Sequence, residues 1–333
     1  MIRNKSVLAV NVLKIISFLL VSIVTVATIS STALSSGLVV LYPQVRQPYA
    51  KIYEDIMAGI VDTGQTITQA IAVDPNLPTE HYKNTLTRIK PDAIIALGEN
   101  NVSLARDINL SVPLIAGALI SSSGAITGIS MVPDARVIIN KLVLLYPNVR
   151  NIHVVTNTKD HKNQLTNANS YTASKAIKLI VHDASTVQEA ASEYKRILAA
   201  IQPGDAIWLM RDSALQDSAL LSQILKIAWN KRVAVFSANP THVKRGALFA
   251  IYPNNKKLGA SLALLASSSL PIKQPPIESS LVNPSLINQD ITDTNPPSLS
   301  PLQDVYTVIN RRTSRHLGIS INSDVRAAID GIF

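Results

Sequence analysis

Short unbroken apolar runs recur along this chain, and nearly every one is followed by a segment with apolar residues at helical spacing. A run without alternation, stopped by polar residues or a turn, reads as a strand covered on both faces, as in a parallel sheet. Leu38–Tyr42 (LVVLY) is the first, followed by a helix opened by Pro48 with Tyr49, Ile52, Tyr53, Ile56, Met57 and Ile60 on one face. Ile67–Val73, Asp92–Leu97 and Leu114–Ala118 continue the strand series, with a helix at Thr79–Lys90 and another after Gly98. Pro133–Tyr146 predicts a helix that carries the chain into a second, similar series. There Ile152–Val155, Lys178–Val181, Asp205–Met210, Val233–Phe236 and Gly246–Tyr252 are strands. Gln164–Ile177, Val187–Ile201, Ala219–Trp229 and Asn255–Ser267 are helices, and Thr186 with Glu189 has capping-box spacing. Asp304–Ile309 is a late strand, and Arg311–Leu317 a short helix stopped by Gly318.

Two of the runs are near copies. Asp92–Glu99 reads DAIIALGE, and Asp205–Asp212 reads DAIWLMRD; each follows a helical segment and a proline, Pro91 or Pro203. The duplication predicts an α/β protein of two Rossmann-like lobes, each with its own parallel sheet, and a cleft between them. The boundaries follow: 1–36 before the first lobe, 37–133 for lobe 1, 134–245 for lobe 2, and 246–333 for a crossover and C-terminal segment that returns in part to lobe 1. Within the last, 268–301 turns to Pro, Ser and Asn, the composition of a long surface loop.

The 36 residues at the start change the picture of where the protein works. Arg3 and Lys5 precede an apolar core at Ile15–Ile29, and Ser31-Thr32-Ala33 supplies small residues for cleavage. The segment reads as an export signal or, if retained, an N-terminal anchor, so the lobes are expected in the periplasm. The formal charge of +9 falls to +6 without Arg3, Lys5 and Lys14, and no basic block stands out along the chain. A nucleic-acid partner is therefore not expected. There is no cysteine, which excludes disulfides, thiolate zinc sites and a lipid-modified cysteine. The six histidines occur singly, with His153 read as a surface residue just before a strand, so no metal site is expected. No G-x-S-x-G elbow, H-E-x-x-H helix, P-loop or G-x-G-x-x-G turn occurs. Neither catalysis nor a cofactor is expected.

Ligands of open α/β sheets bind just beyond the carboxyl ends of the strands. That rule selects Tyr49, Gly98, Glu99, Asn100 and Gly117 in the first lobe, and Asn157, Asp212, Ser213, Ser237 and Asn239 in the second. Tyr49 faces either the core or the cleft. Glu99 is either solvated or bound to ligand. Asp212 is a helix cap, a ligand contact or both. Trp208 lies mid-strand in the core, and Trp229 belongs to a packed helix face.

Several segments resemble, in order, the ABC-transporter substrate-binding proteins of the tryptophan/tyrosine-binding type. They are RQPYAKIYEDIMAGI from Arg46, PDAIIALG from Pro91, GISMVPDARVIINKLVLLYPNV from Gly128, DAIWLMRDS from Asp205, VFSAN from Val235, GALFAIYPNNKKLGASLA from Gly246 and NRRTSRHLGI from Asn310. The resemblance implies the bilobal periplasmic-binding-protein fold of type I and a monomer that captures a small, amino-acid-like solute by lobe closure. It also implies delivery to the membrane permease of an ABC transporter. A sensory domain that signals to a membrane partner would use the same cleft, and an α/β enzyme is the third reading. The chain departs from its relatives at Gly98-Glu99-Asn100-Asn101, where a Thr/Pro/Ala loop is usual, and after Thr156. An aromatic amino acid is not carried over as the ligand.

Overall fold

The computed structural model describes residues 37–121, 124–211, 218–270 and 299–333. The export or anchor segment, most of the Pro/Ser/Asn-rich loop, and Asp212 and Ser213 lie outside the described residues. Two sheets organise the rest. One has strands β1 (Leu38–Pro43), β2 (Ile67–Val73), β3 (Ala93–Leu97), β4 (Leu114–Leu119), β5 (Gly128–Pro133) and β11 (Leu299–Leu302), in the order β11-β5-β4-β3-β1-β2. All its pairings are parallel. The other has β6 (Asn151–Thr156), β7 (Lys178–Asp183), β8 (Asp205–Leu209), β9 (Ala234–Ser237), β10 (Phe249–Pro253), β12 (Val305–Ile309) and β13 (Gly331–Ile332), ordered β13-β12-β10-β9-β8-β6-β7. It is parallel except where β12 runs against β10.

Helices cover both faces of each sheet, because successive crossovers in opposite directions place their helices on opposite sides. In the first sheet, Leu38 and Val40 pack with α1 (Ala50–Asp62) and α9 (Asn255–Ser268). Val39 and Leu41 point the other way, to α2 (Thr79–Ile89) and α3 (Glu99–Ile108). In the second, α4 (Ala135–Leu145) and α5 (Lys162–Ser174) lie on the face with Ile152, Val154 and Trp208. On the opposite face α6 (Val187–Ala200) and α7 (Ser218–Asn230) cover Val155, Ile207 and Leu209. Being covered on both sides is why β3 and β8 could be read as unbroken apolar runs: every residue of both is buried. The duplicated aspartates have matching jobs. Asp92 accepts from the Gly37 N–H at 2.7 Å and Asp205 from the Asn151 side chain at 2.7 Å, so each pins the start of a central strand to its neighbour.

The chain passes between the sheets three times, at Pro133–Ala135, Pro253–Asn255 and Leu302–Val305. All three passages leave from strand carboxyl ends, so the carboxyl edges of both sheets lie on the side where they are joined. The passages are tied together. The Asp134 N–H donates to Leu302 O at 2.8 Å and the Asn254 N–H to Asp304 O at 3.0 Å. Gln303 donates to the Asp134 carboxylate at 2.6 Å, and Arg136, its pair at 2.7 Å, helps hold that carboxyl below its ordinary range against the cost of burial.

The element pattern follows the sequence reading with a few exceptions. Leu299–Pro301, assigned to the long loop by composition, belongs to edge strand β11, where the register slips at Pro301. Proline has no N–H for a ladder, so an edge or an irregularity is where a strand tolerates it. Strand β5, the short helices α8 (Pro240–Lys244) and α11 (Ser323–Ala327) and strand β13 are too brief or too mixed in pattern to read from sequence. The short helix α10 (Arg311–His316) is where the pattern put it.

Candidate functional site

In each sheet the strand order reverses at one place: between β1 and β3 in the first, and between β6 and β8 in the second. Loops diverge there and leave a crevice at the carboxyl edge. On the first-sheet side, β1 ends at Pro43 and the chain reaches α1 through Tyr49, which is 65% exposed. Tyr49 therefore leaves the apolar stripe of α1 to Ile56 and Ile60, which are fully buried. Beside it β3 ends at Gly98, whose φ of 89° and ψ of 152° only glycine adopts without strain. The Gly98 N–H completes the β3–β4 ladder by donating to Gly117 O at 2.9 Å, and the positive φ turns the chain so that α3 starts directly at the strand end.

Helix α3 begins without a side-chain cap, and so do α1 and, on the second sheet, α5. These helices follow β1, β3 and β6, three of the four strands that flank the two switch points; the residues just before α7, which follows β8, lie outside the described residues. By contrast α4, α6, α8, α9, α10 and α11 are each capped by an Asp, Thr or Asn side chain. Helix α2, after the edge strand β2, is also uncapped, behind Pro78. An uncapped helix start can offer its first-turn N–H groups to an anionic group. In α1 the Ala50, Lys51 and Ile52 N–H groups already donate to Arg46, Pro48 and Tyr49 O at 3.2, 3.3 and 3.1 Å, so α3 and α5 carry that role. Glu99 and Asn100 are exposed on the first turn of α3, while Asn101 is buried and donates to Leu97 O at 2.8 Å.

Gly117 is brought to the same strand end, in register with Leu97, but serves packing. A Cβ there would lie 2.5 Å from Leu262 Cδ1 and 3.0 Å from Leu97 Cδ2, so its missing side chain makes room for α9.

On the second-sheet side, β6 ends at buried Thr156, and the Asn157 side chain accepts from the Lys159 N–H at 3.1 Å. Thr158 donates to the Asp183 carboxylate through both N–H (2.9 Å) and hydroxyl (2.8 Å). Those two donors hold the Asp183 carboxyl below its ordinary range. β8 ends with buried Met210 followed by Arg211, exposed at the crevice. One strand further, Ser237 is buried. Its hydroxyl lies 2.8 Å from His242 Nδ1 and accepts from the Asn239 N–H at 3.1 Å. Burial pushes His242 below its ordinary range, with the Arg245 guanidinium adding to the effect. Asn239 caps α8 by accepting from the Thr241 N–H (2.9 Å) and hydroxyl (2.8 Å). Ser237 and Asn239 thus spend their side chains on the local turn.

The structure brings Tyr49, Gly98, Glu99 and Asn100 together at one switch point and Asn157 to the other. Sequence reasoning passed over Arg211, although it directly follows the apolar run that ends at Met210. It also passed over Asn101, and the Thr158–Asp183 pair that only strand register brings together. His153 is corrected outright. It sits within β6, half-buried, its ring stacked on His182 at a centroid distance of 5.5 Å. The strand begins at Asn151, one residue before the apolar run Ile152–Val155. Among the described residues no group of three His, Asp or Glu side chains could hold a metal ion.

Comparison with known proteins agrees with this architecture. No curated protein matches the sequence. A substrate binding protein with adhesive properties from Clostridium difficile, solved ligand-free and open, superposes with a TM-score of 0.61 at 16% identity, covering 89% of this chain and 98% of that one. The ABC domain from Streptococcus pneumonia in complex with L-Trp superposes with a TM-score of 0.51 at 14% identity, covering 90% and 100%. Both show the shared bilobal α/β fold. The sequence model of ABC transporter substrate binding proteins matches residues 102–293, more than half of the chain, and the chain belongs to that family.

Proposed function

We propose that the protein is the exported solute-binding component of an ABC-type uptake system. It takes a small amino-acid-like molecule between its two sheets and delivers it to a membrane permease. The carrying observation is the contrast in helix capping: α3 and α5, which follow β3 and β6 beside the two switch points, start without a side-chain cap, while six other described helices are closed by their own side chains. Charge adds a direction. Exposed Glu99 on one side and exposed Arg211 on the other suit the ammonium and carboxylate of a zwitterion, with the first turn of α3 assisting the carboxylate. Contacts from both sheets would favour a closed state, with the tied passages at Asp134, Asn254 and Asp304 as the hinge.

Purified protein, denatured, should release a small molecule with an amine and a carboxylate, identified by mass spectrometry; L-Trp is the first compound for titration because a structural neighbour was solved with it. Absence of released solute, together with no calorimetric signal from an amino-acid panel, would remove the amino-acid reading. N-terminal sequencing of protein from the periplasmic fraction should begin near Leu34. An intact Met1 in the membrane pellet would replace cleavage with an anchor.

A further inference from the structure

The fold gathers at one place a set of cations that the sequence scatters. At the edge of the second sheet opposite its candidate ligand crevice, α7 ends beside α10. Trp229, Arg311, Arg312, Arg315, His316 and Phe333 line an open groove of about 560 Å³ there. The His316 ring stacks on Trp229 at 3.8 Å and 5°, and its Nε2 lies 2.8 Å from Trp229 O. The Arg312 guanidinium lies 4.9 Å from the indole, and Lys244 places its ammonium 5.0 Å from the Phe333 ring. Trp229 is half-buried and Phe333 is 47% exposed, so both rings keep apolar surface in water.

Among the described residues no side-chain carboxylate is ion-paired to these charges. Segments 229–246 and 310–318 contain neither Asp nor Glu. Arg232, Lys244, Arg311, Arg312 and Arg315 take part in none of the ion pairs among the described residues. All five are exposed. Unpaired cations around half-exposed aromatic rings are the chemistry of a bilayer interface: the rings seat at headgroup level and the cations meet anionic lipid. The family works beside a membrane-embedded permease, which puts a bilayer within reach. From this we infer that the Trp229–Arg315 groove docks on an anionic phospholipid surface. Because it lies at the edge away from the strand ends that carry Asn157 and Arg211, docking leaves those strand ends uncovered.

The two tryptophans make the test direct. Trp208 is 2% exposed and stacked in the core on Phe236, so a change in emission on adding vesicles reports Trp229. Residues 1–36 contain no tryptophan, and their own affinity for lipid does not enter the signal. The full-chain protein is titrated with vesicles of phosphatidylcholine alone and of phosphatidylcholine with phosphatidylglycerol. The expected result is a blue shift with the anionic vesicles only, weakening as salt rises above about 0.15 M, where screening already acts within about 8 Å. Arg311→Gln/Arg315→Gln should lower the apparent affinity at least about tenfold. Lys244→Gln should lower it less. Lys83→Gln/Arg88→Gln, an equal charge change on α2, should leave it intact. Circular dichroism matched to the parent keeps any loss attributable to the groove, and the exposed arginines are not expected to disturb folding. An equal shift with phosphatidylcholine alone, or anionic binding unchanged in the arginine variant, overturns the proposal. A shift evoked by single-stranded DNA or by inorganic phosphate without lipid also overturns it, and reassigns the groove to that ligand.

Discussion

Replacing Gly98 with alanine isolates the backbone geometry on which the candidate site depends. At φ 89° and ψ 152° an added Cβ meets nothing closer than Pro43 Cγ at 4.0 Å, so the penalty is internal to the residue. Holding an L side chain in that region costs on the order of 1–3 kcal/mol. The alternative is to swing φ negative, which leaves the 2.9 Å bond to Gly117 O in place but turns the uncapped start of α3 away from its packed position. Either route should lower stability by about 1–3 kcal/mol, and the second also weakens a bond from α3 to a charged ligand group. A loss of about 1.4 kcal/mol there is tenfold in affinity. Gly117→Ala is the matched control. Its Cβ would meet the ends of Leu262 and Leu97 at 2.5 and 3.0 Å, an overpacking cost of about 1–3 kcal/mol with the crevice untouched. Urea unfolding of both variants, beside calorimetric titration with the released solute, separates the effects. Comparable stability loss with affinity lost only in Gly98→Ala is expected. Full affinity in Gly98→Ala, or equal affinity loss in both, would refute the assignment of α3 to the site.

Gly59→Ala should destabilise by at least about 2 kcal/mol although alanine is the better helix former, because its Cβ would lie 1.8 Å from Lys256 O of α9, a backbone atom that no rotamer change can move; a urea midpoint at or above the parent's would contradict the close α1–α9 crossing. Arg211→Gln should leave the urea midpoint nearly unchanged, since the side chain is exposed, and weaken solute binding about tenfold; unchanged affinity in titration would take Arg211 out of the site. Burial pulls His153, His182 and His242 below their ordinary range, with the Arg196 guanidinium adding to the effect at His182. Above about pH 6.5 these rings are neutral folded or unfolded, and as pH falls below it the unfolded chain takes up protons that the folded one refuses. Stability should therefore drop between about pH 7.5 and pH 5.5 in urea melts, and His182→Gln should flatten that drop; an unchanged slope would remove His182 as a contributor.

Much of the architecture was written in local pattern. Strands covered on both faces must be apolar throughout, so β3 and β8 announced themselves as unbroken runs ended by Gly98 and Arg211. The capping box at Thr186 and Glu189 forms as its spacing foretold, because both partners lie within one turn. The carboxyl ends of the strands could be anticipated as ligand positions, whereas the switch points depend on the spatial order of strands within each sheet. What the side chains at those strand ends do was decided by contacts distant in sequence. Gly117 looked like a ligand-facing glycine until α9, well over a hundred residues later, placed Leu262 against it. Ser237 and Asn239 stand at a strand end as the pattern placed them, and the turn into α8, with its half-buried histidine, also engages their side chains. His153 and His182 are solitary in sequence, and the pairing of β6 with β7 stacks them. The unpaired cations had no block in the sequence, because Arg232, Lys244 and Arg311–Arg315 lie on separate segments whose meeting depends on β12 running against β10. Periodicity reports which face of an element is buried; only the packing of one element against another decides what a polar residue at its end is left to bind.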